Sequence, residues 1–250
     1  MKIISVPRIS ALGLKGPEEM GKFVLAELGR DFETIEVDNS NVESSEKNIF
    51  SRAKEIFKSG EKAVFVGGDH SISCPIFKAF NEVNKDAFLI VFDAHADCDD
   101  PAQEPTHEEW LRATIERGFD PSKVILIGVR KMWENEKKFL VENGVKIFEE
   151  INDIEAAGDY ITEKANGADV YVSIDIDVLD PAFAPAVSYP EVNGLSSKEL
   201  FYLLKRIFHI KSLKAIDVVE VVPEKDEKYD YRTVKIAAKI VEDFLDSDKI

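Results

Sequence analysis

Six side chains in this 250-residue sequence have the types and spacing to hold metal ions: His70, Asp93, His95, Asp97, Asp175 and Asp177. Asp93, His95 and Asp97 alternate with Ala94 and Ala96, and Asp175 and Asp177 flank Ile176. In an extended chain, residues two apart share a face, so each set points one way while Ala94, Ala96 and Ile176 face the other and can pack. Carboxylate oxygens with imidazole nitrogens suit Mn²⁺. The two cysteines, Cys74 and Cys98, form neither a soft-metal cluster nor a disulfide framework. Four crowded carboxylates repel one another unless cations lie between them. Two divalent ions about 3.5–4 Å apart would neutralise them and activate a bridging water. A single aspartate at a strand end more often holds a turn, which is the role expected of Asp69.

These residues need elements to position them. Short apolar, β-branched runs recur at residues 2–6, 33–37, 63–66, 87–92, 124–127, 145–148, 170–174 and 213–219. Amphipathic stretches of helical length lie between most of them, for example residues 17–28, 45–58, 108–118, 134–143, 197–208 and 232–244. Strands alternating with helices predict βαβ units and a parallel sheet with helices on both faces. The pattern suits an open sheet or a closed barrel. Four of the runs end in polar groups: His70 follows the third, Asp93 the fourth, Asp175 the seventh and Glu220 the eighth. In parallel sheets, sites form beyond the carboxyl ends of the strands. The proline-rich stretch at residues 180–190 reads as a long active-site loop. No linker or repeat divides the chain, so a single domain over residues 1–250 is expected.

Composition narrows the partners. With 48 acids against 32 bases, the formal charge is −16 and no basic stripe is present, which argues against nucleic acid. A negative field favours cationic ligands and metal ions. No segment approaches the roughly 20 apolar residues needed to span a bilayer, and the amino terminus has no signal-peptide pattern. A cytoplasmic protein without membrane contact is expected.

The motifs, in this order, resemble those of the ureohydrolase family, which comprises arginases, agmatinases and formimidoylglutamases. Gly67-Gly68-Asp69-His70-Ser71 is similar to its Gly-Gly-Asp-His-Ser element. Asp93-Ala94-His95-Ala96-Asp97 is similar to Asp-Ala-His-x-Asp, and residues 173–181 to Ser-x-Asp-x-Asp-x-x-Asp-Pro. Glu220-Val221-Val222-Pro223 resembles a late Glu-Val-Asn-Pro, with Val222 in place of Asn. Gly16-Pro17-Glu18 resembles the glycine-proline turn before the first helix. The resemblance implies a three-layer α/β/α sandwich around an eight-stranded, mostly parallel sheet, which favours the open sheet over the barrel. It also implies two Mn²⁺ per subunit: His70 and Asp97 on one ion, His95 and Asp177 on the other, Asp93 and Asp175 bridging. Family members are commonly homo-oligomers, trimers or hexamers.

The implied reaction is attack of a metal-bridging hydroxide on a linear guanidino or amidine carbon, with release of urea and an amine. Asp97 would pass a proton to the leaving nitrogen, Glu220 would pair with the guanidinium, and His107 would shuttle protons or touch substrate. The histidine element is altered, because Glu108 stands where the family has glycine. Arg112 is expected to anchor the following helix. Val187-Ser188-Tyr189-Pro190 occupies the place of a Thr-Gly-Thr-Pro segment, which makes Ser188 and Tyr189 substrate contacts. That version looks more like formimidoylglutamases, whose substrate carries two carboxylates and which usually lack the histidine. Asp99 stands where arginases place an asparagine that helps bind a carboxylate, and Asp100 follows it. Acids there favour a tail without a carboxylate. Agmatine is therefore the expected substrate. Arginine or formimidoylglutamate hydrolysis, metal-dependent amide deacetylation, or an inactive metal-binding relative are the alternatives.

Overall fold

The computed structural model describes residues 1–10, 12–100, 104–149 and 154–247. Its strands are β1 (Lys2–Val6), β2 (Glu33–Thr34), β3 (Ala63–Gly67), β4 (Ala87–Phe92), β5 (Val124–Ile127), β6 (Lys146–Phe148), β7 (Asp169–Asp175) and β8 (Leu213–Val219). Its helices are α1 (Met20–Leu28), α2 (Val42–Lys58), α3 (Ser73–Val83), α4 (Trp110–Glu116), α5 (Glu134–Glu142), α6 (Ile154–Lys164), α7 (Ser197–Phe208), α8 (Pro223–Asp226) and α9 (Arg232–Asp246). The strands form one sheet in the order β2-β1-β3-β8-β7-β4-β5-β6. Every ladder is parallel. β2 and β6 are free edges, so the sheet is open.

Alternation along the strands builds two cores. On β4, Phe88, Ile90 and Phe92 pack with residues of α1, α6, α7 and α9. Ala87, Leu89 and Val91 face α2, α3, α4 and α5. Strands covered on both faces read as unbroken apolar runs, which is why the central ones were conspicuous in the sequence. Helices dock by one apolar stripe. On α7, Leu200, Leu203, Leu204, Ile207 and Phe208 are buried, and burial of each such side chain contributes roughly 1.5–3 kcal/mol. Ser196 and Glu199 cap its first turn reciprocally.

Some boundaries differ from the sequence pattern. β2 is two residues long rather than the five of residues 33–37, because β1 stops supporting it. The Val6 carbonyl is taken by the amides of Arg8 (2.8 Å) and Gly68 (2.9 Å), and Pro7 has no N–H. Residues 17–28 divide into a 3₁₀ turn over Pro17–Glu19 and then α1. α2 begins at Val42, because the Asn41 side chain accepts from Ser44 N and caps it. Among the described residues, no helix is long and apolar enough to cross a membrane.

The strand order decides where chemistry can occur. The chain passes from β3 to β4 across two places filled later by β8 and β7. Such a departure opens a crevice beyond the strand ends. It also makes β3, β8, β7 and β4 consecutive neighbours, so the four polar strand exits lie side by side.

Candidate metal centre

Each exit bends its chain in a different way. After β3, Gly68 packs against the chain leaving β1 so closely that a Cβ there would lie 1.6 Å from the Arg8 carbonyl oxygen. Asp69 then caps a 3₁₀ turn over His70–Ile72 by accepting from Ser71 N, and it also accepts from Ser10 N at 2.5 Å. After β4, Asp93 Oδ1 accepts from His95 N at 2.6 Å. Asp97 takes a left-handed conformation, with φ 49°. β7 ends on Asp175, whose carboxylate accepts from Asp177 N at 2.8 Å as the chain enters the turn over Ile176–Val178.

The expectation that strand alternation aims these side chains therefore needs correction. The regular strands stop at Phe92 and Asp175, and the carboxylates turn the chain by binding backbone amides two residues on. Ala94, Ala96 and Ile176 are nonetheless buried in the packing.

The six side chains do converge. His70 Nδ1 lies 2.9 Å from Asp93 Oδ2, 3.0 Å from Asp97 Oδ2 and 3.5 Å from Asp175 Oδ2. His95 Nδ1 lies 2.9 Å from Asp177 Oδ2 and 3.5 Å from Asp93 Oδ1. Two overlapping groups result, His70–Asp93–Asp175 and Asp93–His95–Asp177, each with its ligand atoms within 4.8 Å of one another. Asp93 belongs to both groups and Asp175 to the first. Asp97 meets the first through His70, and its Oδ2 also accepts from Trp110 Nε1 at 2.8 Å.

The donor set fits a pair of hard to borderline cations. His70 Nδ1 and Asp93 Oδ2 are fully buried and make no hydrogen bond, although they are close neighbours. Electrostatics agrees. Burial, then the charge of Asp93, pushes the Asp97 carboxyl up to about 8. Burial with Asp177 and Asp93 holds Asp175 well above the carboxylate range. Burial works to lower His95, yet Asp177 and Asp93 carry it up to about 12.

Around this centre lies a cavity of about 210 Å³. Glu220, at the end of β8, is buried, with Oε1 accepting from His70 N at 2.8 Å and Oε2 buried without a partner. Burial, then the charge of Asp69, pushes its carboxyl up to about 8. His107 also lines the cavity. Its Nδ1 is 2.9 Å from Ser10 Oγ, its Nε2 is buried without a partner, and its ring stacks on Tyr189 at 5.4 Å. Ser188 is buried beside Tyr189, where its hydroxyl works to lower the Glu220 carboxyl against burial and Asp69. Asp99 stands at the rim, held by Asn135 Nδ2 at 2.6 Å. Asp100 instead faces Arg112 at 2.6 Å, and Arg112 also lies over the Phe139 ring.

Sequence reasoning missed several residues here. Trp110 lies three positions beyond His107, an adjacency that could have flagged it. Lys131, Trp133 and Glu136 also line the cavity, and Glu191 joins them from the loop after β7. Extending the strand-end rule to β5 would have pointed to the first three. A larger, shallower hollow of about 990 Å³ between α6 and α7 lies at the opposite ends of the strands and holds none of these groups.

Comparison with known proteins agrees with this geometry. The family model described as the arginase family matches residues 18–246. An agmatinase of Halalkalibacterium halodurans is 33% identical over 210 residues, covering 82% of this chain and 70% of the relative. An agmatinase of Neisseria meningitidis is 33% identical over 178 residues, covering 71% of this chain but only 57% of the relative. The solved structure of proclavaminate amidino hydrolase from Streptomyces clavuligerus superposes with a TM-score of 0.90 at 24% identity. That match covers 98% of this chain and 90% of the other, a likeness of fold.

Proposed function

Because the chain belongs to the arginase family, we propose that it is a two-manganese hydrolase of a small linear guanidine, converting agmatine to putrescine and urea. His70 and Asp97 would hold one ion, His95 and Asp177 the other, with Asp93 and Asp175 between them. When bound, such a pair supplies a nucleophilic water at neutral pH by lowering its pKa. The observation that carries the reading is Glu220 Oε2, a buried and unpartnered carboxylate oxygen in the cavity that borders both ligand groups.

The protein's own groups would do the rest. Glu220 pairs with the guanidinium and orients its carbon, which removes much of the entropic cost of attack. Asp97 delivers a proton to the leaving nitrogen, and His107 Nε2 exchanges protons at the cavity wall. Tyr189, stacked on His107, covers the reacting atoms from solvent. A cavity of about 210 Å³ suits a molecule of agmatine's size. Among the lining residues, Asp99, Glu108 and Glu191 outnumber Lys131, which favours a cationic tail over a carboxylate. The agmatinases at 33% identity support the same choice.

The test is turnover of agmatine, arginine, guanidinobutyrate and formimidoylglutamate by the Mn²⁺-loaded protein, followed as urea or formamide. Agmatine should give the highest kcat/KM. A clear preference for arginine or formimidoylglutamate would overturn the substrate assignment, and no release from any of the four would overturn the reaction.

A further inference from the structure

Beneath the metal centre, on the side facing α2 and α3, lies a carboxylate that the chemistry above does not use. Asp217, within β8, has no solvent exposure. Its Oδ1 accepts from Ser173 Oγ at 2.7 Å, and its Oδ2 accepts from Tyr171 OH at 2.6 Å and Ser73 Oγ at 2.9 Å. Ser173 stands opposite Asp217 in the β7–β8 ladder, and Tyr171, two residues earlier, projects into the same layer. Phe77 and Phe80 enclose Tyr171, with ring centroids at 5.5 and 5.3 Å. A carboxylate in such surroundings is costly, and an apolar side chain of the same shape would avoid that cost.

Counting protons shows what the carboxylate accomplishes. Ser173 Oγ is also 2.9 Å from His70 Nε2. With Asp217 ionised, Ser173 donates its one proton to the carboxylate and offers only lone pairs to His70. The imidazole must then carry its proton on Nε2, which leaves Nδ1 as the lone-pair nitrogen facing Asp93 and Asp97. Tyr171 also directs its proton at Asp217, and Ser73 Oγ lies closer to that carboxylate (2.9 Å) than to Ser173 Oγ (3.2 Å).

We infer that Asp217 is a positioning residue which, through Ser173, fixes His70 in the tautomer that can ligate the first ion. The inference rests on the two-ion reading above. Without the carboxylate, Ser173 is free to donate to Nε2, which sends the ring proton to Nδ1 and blocks the site.

The test compares Asp217→Leu, Ser173→Ala, Ser173→Thr and Tyr171→Phe with the wild-type chain. Mn²⁺ affinities are measured by calorimetry, and the ion pair by electron paramagnetic resonance. Melting of the EDTA-treated proteins establishes which variants are folded. Asp217→Leu and Ser173→Ala should weaken one of the two ions about ten- to a hundred-fold and replace the spectrum of a coupled pair with that of an isolated ion. Ser173→Thr, which keeps the hydroxyl, and Tyr171→Phe, which leaves the relay intact, should retain both ions. If Asp217→Leu does not fold, the Ser173→Ala and Ser173→Thr comparison decides alone. Wild-type affinity for both ions in folded Ser173→Ala would overturn the inference. Fewer than two ions in the wild-type chain would instead overturn the two-ion reading.

Discussion

Glu220 and Asp97 both sit in left-handed backbone, with φ 71° and 49°. For a glutamate this conformation costs on the order of 1 kcal/mol or more and persists only where neighbours impose it. Here the Glu220 amide donates to the Gly68 carbonyl at 3.0 Å while its carboxylate accepts from the His70 amide. The strained residue is thus tied at both ends to the loop that bears the first histidine. Glu220→Gln keeps the shape but removes the charge proposed to face the guanidinium. Losing one partner of a buried charged pair costs about 2–5 kcal/mol, so kcat/KM for agmatine should fall at least about thirty-fold. Mn²⁺ stoichiometry, read by metal analysis, should stay at the wild-type value. His107→Asn should lower kcat about a hundred-fold or more while leaving the ions in place, as expected for a group that moves a proton. Near-normal turnover in that variant would remove His107 from the chemistry. Asp97→Asn differs from both, because that side chain is also proposed to hold an ion. It should lose activity and metal affinity together, measured by turnover and calorimetry on one preparation.

The loop after β7 has little regular structure beyond the turn over Ile176–Val178 and two isolated bridges, yet it carries Ser188, Tyr189 and Glu191 to the cavity. Arg130, just beyond β5, holds its two ends. Its guanidinium donates to the carbonyls of Asp177 (2.8 Å), Glu191 (2.8 Å) and Val192 (2.9 Å), and also to those of Gly128 and Val178. Gly194 leaves the necessary room, since a Cβ there would lie 2.5 Å from Arg130 Nη2. Burial depresses the guanidinium, which its carbonyl partners tolerate because arginine stays charged throughout the physiological range. Arg130→Ala would orphan several carbonyls at once. At about 1 kcal/mol or more for each buried group left unsatisfied, the fold should lose about 3 kcal/mol. Hydrogen exchange should quicken across residues 178–194, and KM should rise more than kcat falls. Unchanged exchange in that segment would mean the loop is held by something else.

The charge of −16 and the acid-rich centre act together on the molecule. Buried carboxylates that repel one another oppose folding, and cations that bind only the folded chain reverse this. At free Mn²⁺ a thousand times its dissociation constant, one ion adds about 4 kcal/mol. Melting in Mn²⁺ should therefore exceed melting in EDTA by several degrees, and Asp175→Asn should erase most of that gap. The same field should draw cationic substrates toward the cavity. Raising NaCl from about 0.05 to 0.5 M shortens the Debye length below 5 Å, so KM for agmatine should climb while kcat stays nearly constant. A KM indifferent to salt would leave the acidic surface without a part in capture.

Much of this was legible in the chain because it is local. Apolar runs such as residues 87–92 and 213–219 are long, buried on both faces and bounded by polar residues, so periodicity and length reveal them. The six candidate ligand residues stand out because turns account for single aspartates such as Asp93 and Asp175, and not for histidines and further aspartates recurring at two-residue intervals beside them. β2 is shorter than its apolar run, since its length depends on which carbonyls β1 has left to offer. The aim of Asp93 and Asp175 was ascribed to strand alternation, whereas amides two residues further on bend those segments. What brings Trp110 to Asp97, Ser173 to Asp217 and Arg130 beneath a loop some fifty residues later is the parallel strand order. Contacts between elements distant in sequence depend on which neighbours the sheet places side by side, and no local pattern records that choice.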